Sequence, residues 1–252
     1  SGKELVIHGL SRSAELALSP DGRQLALENP SDTTVEILDT ATSNVRIKLD
    51  PSGQWDATLR FSADGRTLLG AYRDRANLWD TRSGKLISRL ETDLKTEEFR
   101  YPLLSSNRET LVVRSNGTNI KVWNMISGKH QLTLSRDREL GLIRQPCLAR
   151  NGQLLAVVSL DVPDIVVWNV ETGVTHAVMK GHSKFLYEYS FTPDSKRLVS
   201  SSADKLVILW DVGQAREIRR WEFDRSMDCV TVSSDSRLMA VGDDREIYLF
   251  DL

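Results

Sequence analysis

Leu206-Val207-Ile208-Leu209-Trp210-Asp211 is an apolar run that ends in an aromatic residue followed by an acid, and this ending returns along the chain. It recurs as Trp79-Asp80, Trp123-Asn124, Trp168-Asn169 and Phe250-Asp251, with Leu38-Asp39 as a weaker copy. The second members are 41, 44, 45, 42 and 40 residues apart. Alternating runs such as Val35-Glu36-Ile37-Leu38 and Ile120-Lys121-Val122-Trp123 precede the pairs. Upstream of each lies a turn signal: Ser19-Pro20-Asp21-Gly22, Ser62-Ala63-Asp64-Gly65, Arg150-Asn151-Gly152, Thr192-Pro193-Asp194-Ser195 and Ser234-Asp235-Ser236. These residue types supply left-handed or side-chain-capped turn conformations. A second turn follows the pair, as in Ser83-Gly84-Lys85, Ser127-Gly128-Lys129 and Thr172-Gly173.

Each unit therefore reads as four short strands joined by turns, with no helical periodicity over eleven residues. Four strands at this period are the mark of propeller blades, which must pack on one another because none covers both faces of its own sheet. The expected fold is all-β: a six-bladed β-propeller of four-stranded antiparallel blades, with units ending near residues 39, 80, 124, 169, 211 and 251. The last unit stops after its third strand, and Lys3 to Leu10 reads as the missing outer strand, closing the ring on blade six. The alternative is a piece of a seven-bladed or longer array, since Ser1-Gly2-Lys3 reads like the turn that follows an upstream pair.

The chain resembles the WD-repeat β-propeller family over essentially its whole length. The fifth unit carries the resemblance best, through Gly181-His182, Phe191-Thr192-Pro193-Asp194, Ser200-Ser201-Ser202-Ala203-Asp204 and Leu209-Trp210-Asp211. In that family a His, a Ser or Thr, an Asp and a Trp form a hydrogen-bonded chain tying inner strands to the outer part of the blade. The resemblance assigns those roles to His182, Ser202 (or Ser200), Asp204 and Trp210. Units two to four lack the Gly-His pair.

Composition narrows the function. The 252 residues carry 33 Lys and Arg against 35 Asp and Glu, a net charge of −2, which argues against a polybasic nucleic-acid binder. The longest apolar stretch, Leu154 to Leu160, is far short of the roughly 20 residues that span a bilayer, and no signal peptide opens the chain. A soluble, cytoplasmic, monomeric domain is expected, alone or within a larger chain or complex. Cys147 and Cys229 each sit in an apolar run and read as reduced core thiols.

No catalytic constellation is visible. The four histidines, His8, His130, His176 and His182, fall in different units without ligand spacing, so neither a metal nor a cofactor is expected. No phosphate loop, nucleophile elbow or Cys-x-x-Cys motif is present. Asp161 with Asp164, and Asp243 with Asp244, read as turn-capping carboxylates rather than catalytic pairs.

A binding surface remains. The resemblance implies that ligands dock on one loop face of the propeller. Alignment on the fifth unit places Arg12, Trp55, Arg73, Arg100, Arg144, Phe185 and Tyr187 there, residue types enriched at interface hot spots. The expected function is a non-enzymatic scaffold for a protein or peptide, favouring acidic or phosphorylated segments because guanidinium forks match those anions. The alternatives are a regulatory or sensor domain of a larger protein such as a kinase or NTPase, and then a propeller enzyme.

Overall fold

The computed structural model describes residues 15–29, 34–49, 58–62, 64–72, 75–91, 100–105, 109–114, 119–134, 146–158 and 162–252. They hold strands and turns and no α-helix. The chain divides into two compact units, residues 1–116 with 120–131 and residues 117–119 with 132–252.

The first unit contains three antiparallel meanders. The first is β1 (Leu16–Leu18), β2 (Gln24–Glu28), β3 (Val35–Asp39) and β4 (Val45–Leu49). The second is β5 (Thr58–Phe61), β6 (Thr67–Ala71), β7 (Arg75–Asp80) and β8 (Leu86–Glu91). The third is β9 (Arg100–Leu104), β10 (Thr110–Arg114), β11 (Ile120–Asn124) and β12 (Lys129–Leu134), whose last residues pass the unit boundary. The first strands lie side by side, β1 against β5 and β5 against β9.

The second unit repeats the plan. It holds β13 (Cys147–Leu148), β14 (Leu154–Val158), β15 (Ile165–Asn169) and β16 (Thr175–Met179), then β17 (Leu186–Phe191), β18 (Arg197–Ser202), β19 (Leu206–Asp211) and β20 (Arg216–Glu222). The last sheet has three strands, β21 (Cys229–Val232), β22 (Leu238–Gly242) and β23 (Ile247–Asp251). Here β17 neighbours both β13 and β21. The expected fourth strand of that sheet, Lys3 to Leu10, lies outside the described residues, and β23 pairs with β22 alone among them.

The repeating residues have separable tasks. The aromatic of the pair is buried at Trp79, Trp168 and Trp210 and half-buried at Trp123 and Phe250. The acid or amide after it caps the next turn. Asp80 accepts hydrogen bonds from the Ser83 amide (2.7 Å) and hydroxyl (2.7 Å), and Asn169 accepts from the Thr172 amide (2.9 Å) and hydroxyl (3.1 Å). Those donors hold the Asp80 carboxyl below its ordinary range. A register shift falls just before Leu38, Trp79, Trp168 and Trp210, re-aiming the pair at the turn.

The upstream turns are equally regular. Ser19, Ser62, Thr192 and Ser233 each donate a hydroxyl hydrogen bond to the aspartate two residues on. Gly22, Gly65 and Gly152 take the left-handed position, where Ser195 (φ 60°) and Ser236 (φ 61°) stand in the last two sheets. Ser195 offers its hydroxyl oxygen to the Asn151 amide of the neighbouring turn at 3.5 Å, a contact no glycine could make.

In the fourth and fifth sheets the second and third strands are covered on both faces, so β14 and β19 are apolar almost throughout, and the outer β20 is largely exposed; in the last sheet the third strand β23 exposes Ile247 and Leu249. Neighbouring sheets share each core. Val167, Met179, Leu186, Tyr189 and Trp210 join β13–β16 to β17–β20, and Val207, Leu209, Val230, Met239 and Val241 join β17–β20 to β21–β23. The reading of both cysteines as core thiols needs correction. Both are free, and Cys147 is half-buried with its thiol pushed up to about 11 by burial, but Cys229 is exposed. Strand alternation explains this: Val230 turns to the core, which sends Cys229 outward.

Candidate functional site

The fifth sheet contains the most ordered polar arrangement among the described residues. His182 Nδ1 lies 3.0 Å from Asp204 Oδ2, and His182 Nε2 lies 2.8 Å from Ser200 Oγ. Trp210 Nε1 donates to the same Ser200 Oγ at 2.8 Å. The Asp204 carboxylate can only accept, so the hydrogen of the imidazole sits on Nδ1, and burial keeps the ring neutral. Nε2 is then an acceptor and takes the Ser200 hydroxyl hydrogen, while Ser200 Oγ accepts the indole N–H, which can only donate.

The serine in this chain is Ser200, and Ser202 is used elsewhere. Trp210 pairs across the ladder with Leu198, and Ser200 lies two residues further along β18 on the same face. Ser202 lies two residues beyond that, roughly 13 Å from Leu198 along the strand, out of reach of the indole. Its hydroxyl donates to the Lys184 carbonyl (3.0 Å) and accepts the Asp204 amide (3.1 Å).

Asp204 binds two loops. It accepts hydrogen bonds from the Ser183 amide (2.8 Å) and the Leu206 amide (3.0 Å) besides His182. Burial opposes its charge, yet these amides and His182 keep its carboxyl below the ordinary range. Burial also lowers His182 below the ordinary imidazole value, against the pull of Asp204. A depressed folded pKa adds stability that is complete above the unfolded value of about 6.5 and is lost as pH falls toward the folded value. The thermal midpoint should therefore fall between pH 7 and 5. His182→Gln should remove that part of the slope while lowering stability at every pH; an unchanged slope in denaturation scans would reject the assignment.

The second sheet solves the same packing problem differently. Gly70 occupies the place of Ser200, and a Cβ there would sit 2.7 Å from Trp79 Cζ3. The Trp79 ring lies over the glycine, and its indole N–H has no partner among the described residues.

The His182–Asp204 lock presents the start of β17. The Ala203 amide donates to the Phe185 carbonyl at 3.0 Å, fixing residues 183–185 against the β18–β19 turn. Phe185 remains 46% exposed and meets Tyr187 edge to face, with ring centroids 4.8 Å apart. Tyr187 lies in a register shift between Leu186 and Glu188, a bulge that re-aims its side chain. Lys184 and Lys205 are exposed, and Lys205 holds a left-handed backbone, φ 70°, with its carbonyl accepting from the Phe223 amide at 3.0 Å.

Among the other expected face residues, Arg12, Trp55, Arg73 and Arg144 lie outside the described residues. Arg100 opens β9, its backbone opposite Arg114 beside a register irregularity. Asp161 is also outside the described residues, and Asp164 pairs with Lys180 at 3.4 Å. Asp243 accepts the Arg245 and Glu246 amides and pairs with Arg225, and Asp244 lies 3.9 Å from Arg245. Among the described residues no cluster of three His, Cys, Asp or Glu is placed to hold a metal, and no helix is long and apolar enough to cross a membrane. Sequence reasoning missed the contact of Ala203 with Phe185, which arises only when the β18–β19 hairpin folds against residues 183–185.

Comparison with known proteins meets the same segment. The model of the family "WD domain, G-beta repeat" matches residues 173–211, which include His182, Ser200, Asp204 and Trp210. The chain is 29% identical over 166 residues, 64% of its length, to the periodic tryptophan protein 2 homolog of Dictyostelium discoideum. It is 26% identical over 136 residues, 54% of its length, to the human WD repeat and SOCS box-containing protein 1. A match to the apoptotic protease-activating factor 1 of Danio rerio, 25% identical, covers 88% of the chain. The chain spans 18%, 32% and 17% of these three relatives respectively. Residues 173–211 thus match the WD repeat, and the proteins to which the longer stretches of the chain are similar include WD-repeat proteins.

Proposed function

We propose that the chain is a non-enzymatic protein-interaction module whose partner docks at the loop end that carries Phe185 and Tyr187. WD-repeat proteins generally mediate protein–protein interactions, and one observation carries the reading to this chain. An exposed aromatic pair is held on a loop fixed by a buried His-Asp bond and three backbone contacts. Rigid aromatics cost little entropy on binding and are typical hot spots. The finer architecture belongs to the same proposal: six blades, closed by Lys3 to Leu10 as the outer strand of the last. The modest share of each relative that the chain spans supports a second reading, a recognition domain within a larger protein.

The test is affinity capture on the immobilised chain, comparing wild type with Phe185→Ala/Tyr187→Ala. Val174→Ser, an exposed residue in the turn before β16, is the control. The double variant should deplete the captured proteins about tenfold or more, with the control unchanged. Identical capture by all three would reject this face.

A further inference from the structure

The turn between the first two strands is built alike in the first, second, fourth, fifth and last sheets, but one copy differs in its chemistry. Its third residue is Asp21, Asp64, Asp194 or Asp235, and in the fourth sheet Asn151. In each copy this side chain accepts the amide two residues on, at 3.0 Å for Gln153 onto Asn151 Oδ1. The acids also receive a hydroxyl from two residues before them, where the fourth sheet has Ala149. Asn151 is exposed, and its Nδ2 donates to Gln153 Oε1 at 3.3 Å. Gly152 follows it with φ 76° and no side chain to crowd its nitrogen. The Gln153 amide faces Oδ1, where negative charge develops when a nucleophile adds to Cγ. The adjacent nucleophile is the Gly152 nitrogen, whose hydrogen is bonded to Ala149 O at 2.9 Å until the turn opens.

We infer that Asn151 is a site of spontaneous deamidation, and that the folded chain converts it mainly to aspartate, the residue the sister turns already carry. The Gly152 nitrogen bonds to Asn151 Cγ, its proton passes through water to Nδ2, and the Cγ–Nδ2 bond breaks to release ammonia. Water then opens the five-membered imide. Addition at Cγ restores the main chain and gives aspartate, whereas addition at the main-chain carbonyl carbon gives isoaspartate, with one more carbon in the backbone. The turn decides between them. Its ends are pinned by the Ala149 amide on Leu154 O at 2.8 Å and by the β14–β15 ladder, which leaves no place for that carbon. Asp21-Gly22 and Asp64-Gly65 share the geometry but present carboxylates, ionised at neutral pH and poor electrophiles. Asn124 and Asn169 also cap turns through Oδ1, but Met125 and Val170 follow them and crowd the attacking nitrogen. The inference is independent of the docking face proposed above.

The test is ageing of the purified 252-residue chain at mildly alkaline pH, folded and in concentrated urea, with peptide mapping by mass spectrometry that separates aspartate from isoaspartate. Folded residue 151 should convert at no less than roughly a tenth of its rate in urea, because surface turns open at little cost. Residues 21, 64, 124 and 169 should stay unchanged. The folded chain should yield mainly aspartate, and a larger share of it than the chain in urea. Asn151→Asp should reproduce the aged peptide and keep the thermal midpoint of wild type. Asn116-Gly117, the other Asn-Gly pair of the sequence, lies outside the described residues and is read from its own peptide. Slower conversion of folded residue 151, equal conversion at residue 124 or 169, or a lowered midpoint in Asn151→Asp would each overturn the proposal. So would an isoaspartate share as high in the folded chain as in urea.

Discussion

Trp210→Ala is expected to lower the unfolding free energy by about 3–5 kcal/mol, the range for truncating a large buried aromatic. Trp210 is 1% exposed and packs among Ile208, Leu198 and residues of β13–β16. It lies so close over Gly181 that a Cβ there would approach Cη2 to 2.8 Å. Removing the ring opens a cavity between two sheets and takes the donor from Ser200. A paired comparison separates these effects. Trp210→Phe and Trp79→Phe delete similar volume, but of the two only Trp210 has a hydrogen-bonded indole among the described residues, where Trp79 Nε1 is buried without a partner. Trp210→Phe should therefore cost about 1–2 kcal/mol more than Trp79→Phe in denaturant titrations. Equal costs would mean that the Ser200 bond contributes nothing to stability.

The contrast between these two tryptophans also shows what a single sequence makes legible. Both read identically as the aromatic of a Trp-Asp pair, because strand alternation and the turn-capping acid depend only on residues close in the chain. Asp39, Asp80, Asn124, Asn169, Asp211 and Asp251 do end third strands. The hydrogen-bond partner is different in kind. It depends on which residue of a neighbouring strand lies on the same face, and Ser200 and Ser202 share parity, so only the ladder register selects Ser200. Gly70 in the equivalent position signals a missing chain only after that register is known. Phe185 and Tyr187 were named from alignment of the repeats, whereas the Ala203 and Asp204 contacts with residues 183–185 depend on the fold of the β18–β19 hairpin. Four of the five other face residues, Arg12, Trp55, Arg73 and Arg144, lie outside the described residues, the last three in units whose loop lengths drift.

Asp204→Ala should have the next largest effect on stability and the largest on the presentation of Phe185. The substitution strips the acceptor from His182 Nδ1, whose side chain is fully buried and cannot turn to water, and from the Ser183 and Leu206 amides. One buried donor left unpaired costs about 1–3 kcal/mol. The two amides lie nearer solvent and recover part of theirs, so a total of about 2–4 kcal/mol is expected. Asp204→Asn preserves the shape but sets an amide NH2 against at least one of the three donors, and should fall between wild type and alanine. The ordering follows from donor count and not from charge, because His182 is neutral. Hydrogen exchange separates global from local loss: below the unfolding transition, the Ser183 and Leu206 amides should exchange at least tenfold faster in Asp204→Ala, with β14 and β19 unchanged. Binding at Phe185 should weaken in the same variant even where the fold persists, since ordering residues 183–185 would then be charged to association. If those amides kept their protection, the loop would be held by the Ala203–Phe185 and Ser202–Lys184 bonds alone, and the buried carboxylate would have no part in shaping the recognition surface.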